Sequence, residues 1–201
     1  MTKGADYING LSLSDNAPTT GVLEVYKLPA NIFDADKIHV ENEYLIIKQK
    51  IRVKAACHGI ARLLNQSNLV NKKKNLVLDI GRELIADIMA GAIPADPIQK
   101  FAIGTGGYIG EPDHNVNPPQ PQGTDIALNN EAYEKILDHR EKPNRAANTF
   151  VGFIDQDNAN GILITEWALK SASGVIFSRA TTKPILKESG FVYVIRWTIQ
   201  H

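Results

Sequence analysis

Hydrophobic and polar positions alternate through much of the second half of this chain. Phe191, Tyr193, Ile195, Trp197 and Ile199 fall at every second position, the period at which successive side chains leave opposite faces of a strand. Residues 150–154, 162–169 and 175–181 are further short apolar runs, and 155–161 is a polar turn between the first two. Runs of this length, closely spaced and joined by turns, predict antiparallel strands. The helical period shows clearly once. Ile80, Leu84, Ile85, Ile88 and Met89 share one face at helical spacing. Asp79 stands where a carboxylate can accept amide protons of the first turn. Gly91 and then Pro94 supply the stop.

The first half is less regular. The first twenty residues are rich in Gly, Asn, Ser, Asp and Thr, a composition that reads as flexible, or as ordered only against a partner. Val22, Val25 and Leu28 form a short apolar stretch that Pro29 ends. Residues 1–42 are therefore expected to be a flexible N-terminal arm, and 43–201 one β-rich structural domain. Two readings stand for 43–64: Glu43 to Lys50 suits a helix, and Ile51, Val53 and Ala55 alternate as a strand does. Asn65 to Asn68 is a turn signal, so 43–78 reads as a hairpin with Lys72, Lys73 and Lys74 on its exposed part. Phe101 to Ile103 is a strand running into Gly104-Thr105-Gly106-Gly107. Residues 104–125 hold five glycines and four prolines and read as a long loop of the kind that carries contacts. Residues 126–141 suit a helix, or a turn and a strand. The expected fold class is mainly β with one or two helices (α+β), an antiparallel β-sandwich behind an extended arm.

Charge and composition narrow the partners. Lys plus Arg and Asp plus Glu are both 22, so formal net charge is zero. Such a chain feels no global pull toward DNA or acidic membranes, and no repulsion keeps its copies apart. Cys57 is the single cysteine; no internal disulfide can form, which fits folding in a reducing cytoplasm. Met1 to Asn16 lacks the apolar core of a signal peptide. No apolar run approaches the roughly twenty residues that span a bilayer. Neither nucleic acid nor membrane is expected as a partner.

Candidate chemistry is sparse. Gly104-Thr105-Gly106-Gly107 is followed by no Lys-Ser/Thr pair and by Pro112, Pro118 and Pro119, so a tight turn is favoured over a phosphate loop. Asp155, Asp157, Asn160 and Glu166 mimic calcium-loop spacing, but Ala159 offers no oxygen and the glycine is displaced to Gly161. Cys57 and His58 are adjacent and would point to opposite faces of a strand. Histidines 39, 58, 114, 139 and 201 lack zinc spacing. Lys72 to Lys74 reads as a solvated run rather than a nucleic-acid contact. Trp167, Phe177 and Trp197 are expected in the core, with Phe150 or Phe153 as interface candidates. No catalytic, cofactor-binding or metal-binding residue is assigned.

Segment order carries one resemblance. Asn75-Leu76-Val77-Leu78-Asp79-Ile80-Gly81-Arg82 leads into the helix. Phe101-Ala102-Ile103-Gly104-Thr105-Gly106 precedes the proline-rich loop, and Thr124-Asp125-Ile126-Ala127-Leu128-Asn129-Asn130-Glu131 follows it. Ile164-Thr165-Glu166-Trp167-Ala168-Leu169, Gly174-Val175-Ile176-Phe177-Ser178-Arg179-Ala180 and Lys183-Pro184-Ile185-Leu186-Lys187 come next. This order resembles bacteriophage virion structural proteins of the tail-collar fibre and fibre-attachment type, over about residues 74–199. The chain departs from that pattern at Ala168, at Tyr133 and Glu134, and in its longer insertion at 115–123. The resemblance implies a non-enzymatic virion protein, made in the host cytoplasm. It would assemble with itself, as a trimer or a ring, and with tail, neck, portal-proximal or fibre subunits. A capsid decoration protein is the alternative, and a glycan-binding receptor module a further one.

Overall fold

The computed structural model describes residues 20–30, 46–47, 50–51, 68–107 and 118–200. Its strands are β1 (Thr20–Pro29), β2 (Ile46–Ile47), β3 (Lys50–Ile51), β4 (Leu69–Val77), β5 (Ile98–Gly104) and β6 (Glu131–Ile136), followed by β7 (His139–Asn144), β8 (Ala147–Ile154), β9 (Leu163–Ser171), β10 (Ile176–Leu186) and β11 (Phe191–Gln200). The one helix among the described residues, α1, spans Asp79–Ala90. The chain is mainly β, as the alternation predicts.

The strands do not form two stacked sheets. Nine of them make one antiparallel sheet in the order β6-β5-β9-β10-β4-β1-β11-β8-β7, and β2 and β3 form a separate two-residue ladder. The large sheet curls until its edges meet. Strands β6 and β7 are separated only by Leu137 and Asp138. The Leu137 N–H donates to Gln99 O of β5 at 2.9 Å, and the next amide, Asp138 N–H, donates to Val151 O of β8 at 3.0 Å. One bent segment, β6 to β7, thus pairs with β5 at one end and with β8 at the other and draws the two ends of the curled sheet together. A sandwich was expected because short alternating strands look alike in either arrangement; long-range pairing decides between them.

The inward residues form one core. Trp167, Trp197, Tyr193, Phe101 and Ile103 are almost fully buried in it, beside Leu23 and Val25 of β1. Four of the five alternating residues of β11 belong to this cluster and the fifth, Phe191, packs against it. Trp167 Nε1–H donates to Thr182 Oγ1 at 2.9 Å, satisfying the indole without water. Trp167, Phe177 and Trp197 lie in the core as the sequence suggests, and Phe150 joins them.

The expected arm over 1–42 is corrected where the structure describes it. Strand β1 lies inside the sheet, hydrogen-bonded to β11 on one side and β4 on the other. Its alternating Leu23 and Val25 are core residues, a pattern too short to separate a strand from an apolar anchor by sequence. Residues 1–19 and 31–42 lie outside the described residues. The 43–78 hairpin is likewise corrected: β4 pairs with β1 and β10, and Lys72 meets Glu24 of β1 at 2.9 Å. Within 43–50, the pairing of Ile47 with Lys50 is that of a strand ladder, not a helix. Residues 126–141 adopt the turn-and-strand alternative.

The helix ends as predicted, with Gly91 at φ 69° and its N–H on Ile88 O. Its start differs. Asp79 is the first helical residue and makes no side-chain cap; its carboxylate meets Arg82 at 3.2 Å. The apolar stripe is only partly used: Leu84 is buried, whereas Ile85 and Met89 are 39% and 83% exposed. The helix packs closest near its first turn, where a Cβ on Gly81 would sit 2.5 Å from Phe177 O.

Candidate interaction site around Arg179

The outer face of β9 and β10 holds two charges where apolar strands predict none. Trp167 points into the core, so its neighbour Glu166 faces out; Ala180 points in, so Arg179 faces out. Both are nearly inaccessible, Glu166 at 0% and Arg179 at 5%. A buried charge must be paired and hydrogen-bonded. Arg179 Nη2 donates to Glu166 Oε2, and Arg179 Nη1 donates to Asp125 Oδ2 at 2.5 Å. Glu166 also accepts the backbone N–H groups of Asn129, at 2.9 Å, and Asn130, at 3.3 Å.

These bonds hold the segment 118–130 against the sheet. Thr181 Oγ1–H donates to Pro119 O at 3.0 Å. Asn130 Nδ2–H donates to Thr105 Oγ1 at 2.6 Å, and the Thr105 N–H donates to Asn130 O at 2.9 Å. Thr165 Oγ1–H donates to Gly106 O at 2.6 Å. The glycines permit this closeness: a Cβ on Gly106 would lie 2.3 Å from Glu166 Oε1 and 2.9 Å from the Asn130 amide nitrogen. The segment also reaches the helix, since Asp79 N–H donates to Gly123 O at 2.9 Å. Beneath it, Leu128 packs with Leu78, Ala102, Ala168 and Ile176.

A cleft of about 270 Å³ opens between Arg179 and this segment, lined also by Gly107, Pro119, Gln122, Asp125 and Asn129. Its chemistry is that of hydrogen bonding and charge recognition. Asp125 is its acidic side chain with exposure, at 22%, while Arg179 is occupied by two carboxylates. Beside it, Ile126 is 74% exposed.

The residues weighed from sequence fall elsewhere. Asp155 Oδ2 meets Lys135 at 3.3 Å, and Asn160 Oδ1 accepts from the buried Lys187 at 2.9 Å, so lysines take one oxygen of each of these two side chains. Glu166, which the calcium spacing would recruit, sits in the Arg179 network instead. No three His, Cys, Asp or Glu side chains come together as a metal site among the described residues. His139 lies 3.7 Å from Glu141. Cys57 and His58, with His39, His114 and His201, lie outside the described residues. Phe153, an interface candidate, is buried in a second cluster on the outer face of the sheet. Sequence reading assigned no role to Arg179, Asp125 or Glu166. The usable signal was a lone charge in each of two apolar runs, which places both at outward positions of strands that pair.

No helix among the described residues is long and apolar enough to cross a membrane. No family model, curated protein or solved structure matches the chain.

Proposed function

We propose that this chain is a non-enzymatic structural subunit of a bacteriophage particle, of the tail, collar or fibre-attachment type, assembling with itself and with neighbouring virion proteins. One observation carries the reading. Four of the segments that bear the resemblance are far apart in sequence, yet their polar residues meet in one network: Thr105 and Gly106, Asp125 with Asn129 and Asn130, Thr165 with Glu166, and Arg179. Residues that combine in one network have a common reason to occur together in a fixed order. The network also does what an assembly subunit requires. It holds residues 118–130 in one shape, so that binding there orders little additional chain.

Two measurements test it. Particles purified on a density gradient from cells that encode the chain should contain it, at a copy number set by the tail or neck rather than by the capsid. A capsid-wide number would move the assignment to a decoration protein, and absence from particles would end the proposal. Light scattering on the whole protein and on a form lacking residues 1–19 should give a defined oligomer. A monomer in both would remove self-assembly from the reading.

A further inference from the structure

The cleft beside Arg179 is built against charged ligands. Arg179 lines it, but Nη1 donates to Asp125 and Nη2 to Glu166. Asn129 turns its amide oxygen to Arg179 Nη2 and to the Gly107 N–H, each 3.1 Å away, and Arg179 Nε is buried. Two carboxylates against one guanidinium leave this network with one negative charge in excess. A phosphate, sulfate or carboxylate would meet repulsion there instead of a free cation. A cationic ligand fares little better at Asp125, the exposed acid. The Arg179 guanidinium already stands 2.5 Å from its carboxylate, and a second cation would be held against the first.

What remains is neutral hydrogen bonding from several directions. Gln120 and Gln122 are exposed and line the cleft; each side-chain amide is an acceptor oxygen beside a two-proton donor. Among the described residues, the bonds that Asp125 accepts from the Gln122 N–H and from Arg179 both use Oδ2, and Oδ1 has lone pairs of its own for a further donor. Pro119 adds an apolar ring to the wall, and Ile126 stands exposed beside it. At about 270 Å³ the cleft falls just under the roughly 300–1,000 Å³ of small-molecule sites. That is room for one ring-sized ligand, not for a length of extended peptide.

We infer that this cleft is a binding site for a neutral carbohydrate and takes one uncharged pyranose unit of a glycan. Sugar hydroxyls both donate and accept, which matches a wall of amides and one carboxylate oxygen. The C–H face of the ring suits Pro119 and Ile126. The bonds through Glu166 and Thr181 fix residues 118–130 before any ligand arrives, so binding orders little chain. The inference does not rest on the virion reading: absence from particles would leave this site untouched, and an empty site would leave the virion reading untouched.

Saturation-transfer NMR on the full chain is the test. The probes are glucose, galactose, mannose, N-acetylglucosamine and N-acetylgalactosamine, with sialic acid and inorganic sulfate as charged controls and acetyl-trialanine amide as a neutral peptide. At least one neutral sugar should take up saturation, and titrating it should shift the backbone amides of Gly107, Gln122 and Asn129. Gln120→Ala combined with Gln122→Ala, both exposed positions, should weaken that binding several-fold and leave the melting temperature unchanged. No uptake by any neutral sugar at millimolar concentration would overturn the inference, as would amide shifts centred elsewhere or binding unchanged in the double variant. Tighter binding of sialic acid or sulfate would assign the cleft to anions, and tighter binding of the peptide would assign it to a protein partner; either result also overturns it. If the double variant fails to fold, the amide shifts of the natural chain decide.

Discussion

Single residues carry the sharpest expectations. Glu166 is fully buried and paired with Arg179, and removing one member of a buried pair strands the other charge at about 3–5 kcal/mol. Asp125 still faces Arg179, so Glu166→Gln should cost near the lower end, about 3 kcal/mol. Urea denaturation reads this directly, and a loss under about 1 kcal/mol would mean the pair is not the clamp described. Glu134 is one contributor to the acid behaviour. Burial alone would raise its pKa, but hydrogen bonds and charge from Lys170 and Lys100 outweigh burial and hold it below its ordinary 4.5. A depressed carboxylate stabilises the fold above its unfolded pKa, and that contribution is lost as pH falls through the folded value. The natural protein should therefore lose more stability below pH 4.5 than Glu134→Gln does. Both side chains are partly in water, so the gap is small; parallel pH profiles of the urea midpoint would refute it. The lone charges in apolar runs were visible in sequence. Their pairing was not, since Asp125, Glu166 and Arg179 are joined only by folding.

Among elements, the closure of the sheet is the feature with most consequence. It places β8 against β5 across the interior, where a Cβ on Gly152 would lie 2.5 Å from Cε1 of Phe101. Gly152→Ala should then overpack the core and cost about 1–3 kcal/mol. Phe101→Leu should recover part of that loss in the double variant, a coupling seen only between residues in contact. Additive thermal shifts would argue against this packing. The elements themselves were unevenly legible. The period-two pattern of β11 and the Gly91 stop of α1 identified both, because each signal is local. The stripe of α1 shows which residues align and not how far the sheet reaches beneath them, so Leu84 is buried while Ile85 and Met89 are exposed. Two inward residues of β1, Leu23 and Val25, are too few to declare a period, so local pattern does not separate this strand from an arm.

At the scale of the molecule, β1 is the test of architecture. It pairs on both sides along most of its length, so a form lacking residues 1–29 should lose cooperative thermal unfolding. One lacking 1–19 should keep it; circular dichroism melts distinguish the two, and a folded 1–29 deletion would refute the central place of β1. By itself, the sequence determined that the chain is mainly β, where its last strand and its helix end lie, and that Trp167, Phe177 and Trp197 are interior. These follow from alternation and from turn chemistry, which act between residues close in the chain. The tertiary structure alone decided that one curled sheet forms rather than two. It alone put β1 in the middle, and it alone drew Thr105, Asp125, Glu166 and Arg179 into one network. Those outcomes depend on which strands pair and on which charges must meet once water is excluded, and no local pattern encodes either.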